Sequence, residues 1–230
     1  MNSLEILKEK YAQFRSLNLS AVEEVELMPL FTHILEGLES HAKKLSMTAN
    51  GLGTNKYTAS YQKEHLQRVA AENRESAKQN AELMLERLER DLLACGTALS
   101  TASMAGRVVT DPIEKLTQEL RDREVRADLA KMDPSERINV LFDSVKNGDA
   151  SILDALQRGP ATKRTLVQPE ELESASKEYI RKVAPVQVEA LEQMKSVMEK
   201  GKAAMSLMDV ALNYVDQQSG VTTQTPVKAY

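Results

Sequence analysis

Residues 190–215, ALEQMKSVMEKGKAAMSLMDVALNYV, decide the fold. Ala190, Met194, Val197, Gly201, Ala204, Met208, Ala211 and Val215 recur at alternating separations of four and three, which is a heptad seam. The same spacing reaches back through Val186 and Val183 to Tyr179. A second line, Leu191, Met198, Met205 and Leu212, repeats every seven residues beside the first. Two adjacent lines make a face wider than a two-stranded seam, suited to a helix with several neighbours. Small residues in it permit close helix approach, and methionine packs adaptably. Pro169-Glu170-Glu171 opens this region with acids at a helix start, and Pro185 is expected to kink it or split off a first segment. At about 1.5 Å per residue, Pro169 to Val215 would run roughly 70 Å. A single globule of this chain length would be roughly 40 Å across. The helix must therefore fold back, protrude, or lie along other subunits.

Outward from this seam, the rest of the chain also reads as helix. A long helix is expected from about Ser60 to about Ser103, with Leu66, Ala70, Ala77, Ala81, Met84, Leu88, Leu92, Cys95, Leu99 and Ala102 as its stripe. Its first half is thin, with alanines and with Asn73 and Asn80 near the seam. Upstream, Ser3 caps an expected helix bearing Leu4, Leu7, Tyr11 and Phe14. Ser20 and Glu23 have capping-box spacing. Pro29 is expected to break or restart the next helix, whose stripe is Phe31, Ile34, Leu35, Leu38, Ala42 and Leu45. Thr48 to Ser60, with Gly51 and Gly53, reads as a loop.

Composition narrows the class. The chain has 230 residues, 42% hydrophobic and 28% charged, with a net charge of −4 and 4% aromatics. Few aromatics, 9 Gly and 7 Pro argue against a β-sandwich or barrel. The acidic balance disfavours direct nucleic-acid binding. One cysteine excludes an internal disulfide and a cysteine-based zinc site. No window approaches the roughly 18 apolar residues of a membrane span. No signal peptide is expected, so a cytoplasmic location is the expectation. Gln217 to Tyr230 reads as an extended or disordered polar arm.

The middle third is punctuated by Asp111-Pro112-Ile113-Glu114 and Asp133-Pro134-Ser135-Glu136. Each supplies an N-cap, a first-turn proline and a capping glutamate. The first is expected to open a helix with Leu116, Leu120, Ala127 and Ala130 inward. The second opens one with Ile138, Leu141, Phe142 and Val145 inward, ending at Gly148. Asp149 then caps a short helix bearing Ile152, Leu153 and Leu156, stopped by Gly159-Pro160. The run Asp133-Pro134-Ser135-Glu136-Arg137, Leu141-Phe142, Val145, Gly148-Asp149, Leu153, Ala155-Leu156 and Gly159-Pro160 resembles small helical proteins encoded among bacteriophage structural and assembly genes. The resemblance covers about thirty residues. It implies a virion-associated or head-assembly role in a bacterial host cytoplasm, and it assigns no functional residue.

Chemistry-bearing residues carry no motif. His33 and His41 lie eight apart, too far for shared chelation, and they and His65 read as helix-surface or boundary residues. Cys95 reads as a small buried hydrophobe. Residues 50–56, NGLGTNK, lack the ending of a phosphate loop and read as a hinge or solvent loop. Residues 121–126, RDREVR, read as a solvated face or an inter-subunit salt-bridge strip, and Lys163-Arg164 is too small a basic cluster to carry affinity. No catalytic residue, cofactor site or metal site is assigned.

The expected fold is all-α, an elongated helical bundle with long coiled-coil-like helices and a short-helix connector. Its expected parts are 1–106, a connector at 107–165, the heptad helix at 166–216 and a tail at 217–230. The expected function is non-enzymatic structural assembly, with partners in further copies of the chain and in other assembly proteins. The alternatives are an adaptor that binds a partner helix in a Met-lined groove, and a helical enzyme with a site shared between subunits. The expected interface is Ala190, Leu191, Met194, Val197, Met198, Gly201, Ala204, Met205 and Met208, with Met84, Leu88, Leu92, Cys95 and Leu99 as a second stripe. Those two sets would equally pack on one another inside one subunit.

Overall fold

The computed structural model describes residues 19–52, 57–105, 107–159 and 166–221. The long elements among them are all α-helices: α1 (Ala21–Leu52), α2 (Ala59–Met104), α3 (Pro112–Leu129), α4 (Pro134–Lys146), α5 (Ser151–Gln157), α6 (Pro169–Val183) and α7 (Pro185–Gln218). The chain forms two compact units. The first joins the residues up to Leu93 to those from Gln193 onward, and the second is Ala94–Glu192. The expected divisions at 106, 165 and 216 follow helix ends, whereas the compact units divide α2 and α7 in mid-helix.

In the first unit α1, α2 and α7 share one core. Leu27, Leu30, Ile34, Leu38 and Leu45 of α1 meet Ala70, Ala77, Ala81 and Leu88 of α2 and Val197, Met198, Ala204, Met208 and Leu212 of α7. Contacts set the helix directions. A methyl on Gly201 of α7 would touch Leu85 and Leu88, while further along α7 Asp209 pairs with Lys78 and Asn213 with Arg74. As α7 advances α2 retreats, so the two are antiparallel. Against α1 the numbers rise together, from Ser196 on Glu23 to Asp216 on His41, so α1 and α7 are parallel.

The alanine-rich half of α2 is where helices come closest. A Cβ on Gly37 of α1 would collide with the Ala77 carbonyl oxygen and lie 3.1 Å from Met208 Cε. Alanines at 70, 77 and 81 leave α1 and α7 room to approach the α2 backbone. The thin stripe is therefore a close-packing surface and not a weak one.

The capping box at α1 forms as expected: Ser20 Oγ accepts from Glu23 N at 3.3 Å and Glu23 Oε2 accepts from Ser20 N at 2.8 Å. Pro29 does not interrupt α1, contrary to expectation. It lies on the exposed side of α1, as does Val25, the residue one turn earlier whose carbonyl a proline cannot bond. Residues 48–52, expected in a loop, also continue α1. The expected helix after Ser3 lies outside the described residues.

Pro185 does split the C-terminal region. Ala184 adopts φ −134°, ψ 51°, as a residue before proline is pushed out of the helical region, and α7 starts at Pro185. Residues 217–221 are not an extended arm. Gly220 takes φ +79°, Val221 N donates to Asp216 O at 2.9 Å and Gly220 N to Gln217 O at 3.1 Å. That pattern is a Schellman stop, and Val221 turns back into the core. Residues 222–230 lie outside the described set.

The second unit has its own core of Leu129, Leu141, Val145, Leu153, Leu156, Val167, Ala175 and Tyr179. Asp111 caps α3 by accepting from Ile113 N at 2.8 Å and Glu114 N at 3.0 Å, and Asp133 caps α4 by accepting from Glu136 N at 2.9 Å. Gly148, at φ +77°, ends α4 with a second Schellman stop, Asp149 N donating to Ser144 O at 3.0 Å.

Gly37 and Gly201 separate two kinds of tightness. Gly37→Ala drives a methyl into backbone and should cost about 1–3 kcal/mol. At Gly201 the methyl meets only leucine side-chain ends at 3.3–3.5 Å. The helix preference of alanine, up to about 1 kcal/mol, should there roughly offset the crowding, whereas Gly201→Leu overfills the site. Urea unfolding midpoints measure all three, and equal midpoints for the two alanine variants would refute the assigned approach.

Candidate interaction surface

Most polar side chains buried in the first unit hold α7 against α1 and α2. At one end Glu23 Oε1 accepts from Ser196 Oγ at 2.5 Å and Lys200 Nζ at 2.6 Å. These bonds, Lys200 first, lower the Glu23 pKa from 4.5 to about 2. At the other end His41 Nε2 bonds Asp216 Oδ1 at 2.7 Å, both side chains being buried. Asp216 Oδ2 lies 3.5 Å from Arg74 Nη1, and Arg74 Nη2 donates to Asn213 Oδ1. His41 Nδ1 has no partner. His41 therefore departs from the surface or boundary position expected of it. His33 does sit near the surface, 3.2 Å from Glu36, and His65 stacks on Tyr61 in a column with Tyr57.

The second unit buries charge on α3. Asp122 and Arg126 are only 6% and 8% exposed. Asp122 accepts both Nε (2.8 Å) and Nη2 (3.1 Å) of Arg158, which raises the Arg158 pKa. Arg158 also reaches Asp154 at 3.3 Å, and Arg107 pairs with the same carboxylate while its guanidinium lies 4.9 Å over the Tyr179 ring. Arg126 Nη1 donates to the Ala155 carbonyl at 2.6 Å, satisfying an acceptor in the short helix α5.

This arrangement turns α3 over. The expectation placed Leu116, Leu120, Ala127 and Ala130 inward. Instead Ile113, Leu116 and Leu120 are 76%, 62% and 53% exposed, and Ala127 and Ala130 are exposed as well. At 100° per residue Ile113, Leu116 and Leu120 lie across the helix from Asp122 and Leu129, with Arg126 to the side. The reason is chemical. α5 presents Asp154, the Ala155 carbonyl and, just beyond its end, Arg158, and Asp122 and Arg126 of α3 turn toward them beside the core residue Leu129. The strip at 121–126 is accordingly not a solvated face throughout, since its Asp122 and Arg126 are interior.

The interface residues expected from sequence are largely occupied within the chain. Leu88, Val197, Met198, Ala204 and Met208 belong to the first core, Gly201 is buried, and Met84, Leu92, Met194 and Met205 pack against that core. Ala190, Leu191, Cys95 and Leu99 are half-buried. Of the two arrangements left open, the α2 and α7 faces take the intramolecular one. Sequence reasoning does not single out the outer face of α3, although its signal, Ile113, Leu116 and Leu120 at helical spacing, stands in the sequence. Residues 53–56, part of the expected hinge or solvent loop, and Lys163 and Arg164 lie outside the described residues. Among the described residues there is no group of His, Cys, Asp and Glu able to hold a metal, and no helix long and apolar enough to cross a membrane.

Two outcomes follow for the buried charges. The depressed Glu23 pKa means its contribution is complete above about pH 4.5 and is lost as pH falls toward 2. Glu23→Gln should cost about 1–2 kcal/mol at pH 7 and flatten the acid limb of the stability curve. An unchanged acid limb would contradict the assignment. Asp216→Ala strands His41 and Arg74 and should cost about 3–5 kcal/mol. His41→Leu combined with Asp216→Leu should cost clearly less than Asp216→Ala in the same melts, and an equal or larger loss would show that the pair is not a coupled unit.

The chain matches no known protein family, no curated protein and no solved structure.

Proposed function

We propose that this chain is a non-enzymatic structural protein that self-associates and serves in assembly, with further copies of itself and other assembly proteins as its partners. The observation that carries the reading is the inversion of α3. A helix that buries Asp122 and Arg126 while exposing Ile113, Leu116 and Leu120 leaves an apolar stripe in water. Burying such side chains against a partner is favourable by about 25 cal/mol per Å². The buried carboxylates support structural use, since Glu23, Asp122, Asp154 and Asp216 are each engaged in tying one segment of the chain to another. The resemblance of residues 133–160 to bacteriophage structural and assembly proteins supports placing the assembly in a virion or its head-building pathway, with synthesis in a bacterial host cytoplasm.

Light scattering on the purified chain tests the reading. A mass above the 25.6 kDa of one chain, rising with concentration, is expected. A strictly monomeric chain throughout the micromolar range would overturn it.

A further inference from the structure

We propose that the outer face of α3 is a homotypic contact, in which α3 of one chain packs antiparallel on α3 of a second copy about a two-fold axis near residue 121. The proposal rests on the self-association reading and deepens it by naming the surface, the occupant and the geometry.

The argument for a second copy is charge. Around α3, Glu119 and Arg123 flank one side of the Ile113, Leu116 and Leu120 stripe, while Thr117 and Glu124 flank the other. Glu119 and Arg123 are exposed. An antiparallel pair brings like flanks together. With the two-fold near 121, Glu119 of each chain meets Arg123 of the other, giving two equivalent ion pairs. A parallel, in-register pair brings unlike flanks together. It forfeits both of those ion pairs and sets Glu119 against the partner's Glu124, a repulsive contact.

Size agrees with charge. In the antiparallel register Leu116 of one chain lies over the small Ala127 of the other, and Leu120 lies beside its symmetry mate. Large side chains therefore fall against small ones at both ends, with leucines filling the middle. The surface is self-complementary, as an isologous contact requires. One helix pair is a small interface, so its association should be weak and concentration-dependent.

Sedimentation equilibrium of the full-length chain tests this, with circular dichroism confirming that each variant stays folded. The altered side chains are exposed in the single chain. Leu120→Glu should abolish or sharply reduce the concentration-dependent rise in mass. Glu119→Arg should weaken it, and adding Arg123→Glu to Glu119→Arg should restore it. Orientation is read by crosslinking in a Cys95→Ser background. Ile113→Cys alone should give no disulfide dimer, whereas a mixture of Leu116→Cys and Ala127→Cys chains should give one on mild oxidation. An oligomer indifferent to Leu120→Glu and to the charge swap would overturn the α3 contact and leave self-association standing. Efficient crosslinking by Ile113→Cys alone would overturn the antiparallel geometry. A wild-type chain monomeric at every concentration would overturn both.

Discussion

The packing of α7 into the groove between α1 and α2 is the constraint on which the first unit depends. None of these helices has a full set of neighbours without it. α1 would leave Leu30, Ile34 and Leu38 open, and α2 would leave Leu88 open. The contact is also distant along the chain, since His41 and Asp216 are 175 residues apart. Closure entropy grows only slowly with loop length, and a compact intervening segment leaves fewer free residues to close. Ala94–Glu192, with its own core, is such a segment. Local helices and the second unit can therefore form first, and the long-range seam then completes the fold.

Hydrophobic stripes alone define that seam loosely. A heptad pattern tolerates a slide by one repeat, which would bring the long Met208 side chain to the height that Gly201 now occupies. Glycine placement and buried charge remove this freedom. Gly37 meets the Ala77 backbone at one height only, and Asp216 must find His41 and Arg74 together. Burying such groups is costly when a partner is missing, so registers that strand them are disfavoured.

Much of this is legible in the sequence for definite physical reasons. Asp-Pro caps, the proline at 185 and the helical stripes on α1 and α2 depend on local geometry, which sequence encodes directly. What is not legible depends on neighbours. Pro29 is tolerated because of which side of α1 it occupies. His41 is interior because a carboxylate 175 residues away comes to it. The tail from Gln217 to Val221 folds back because Gly220 can reverse the chain and the core accepts Val221. Whether the Met/Ala face of α7 meets its own chain or another is undecidable from spacing, since both use the same pattern. Only the tertiary arrangement of α1 and α2 resolves it.

The inversion of α3 follows from the same logic and carries it to the surface. A leucine stripe normally decides which side of a helix turns inward, because apolar burial outweighs most competing terms. On α3 it loses to a polar demand set by α5, a seven-residue helix too short to close its own backbone bonds. Arg126 on the Ala155 carbonyl and Asp122 on Arg158 answer that demand. Turning the leucine stripe inward would take Arg126 off the Ala155 carbonyl, part Asp122 from Arg158 and carry Leu129 out of the second core. In the proposed contact a second copy would remove the remaining conflict without disturbing the first solution. The polar side of α3 stays committed within the chain, and in the proposed homotypic contact the apolar side would be the surface on which two copies meet.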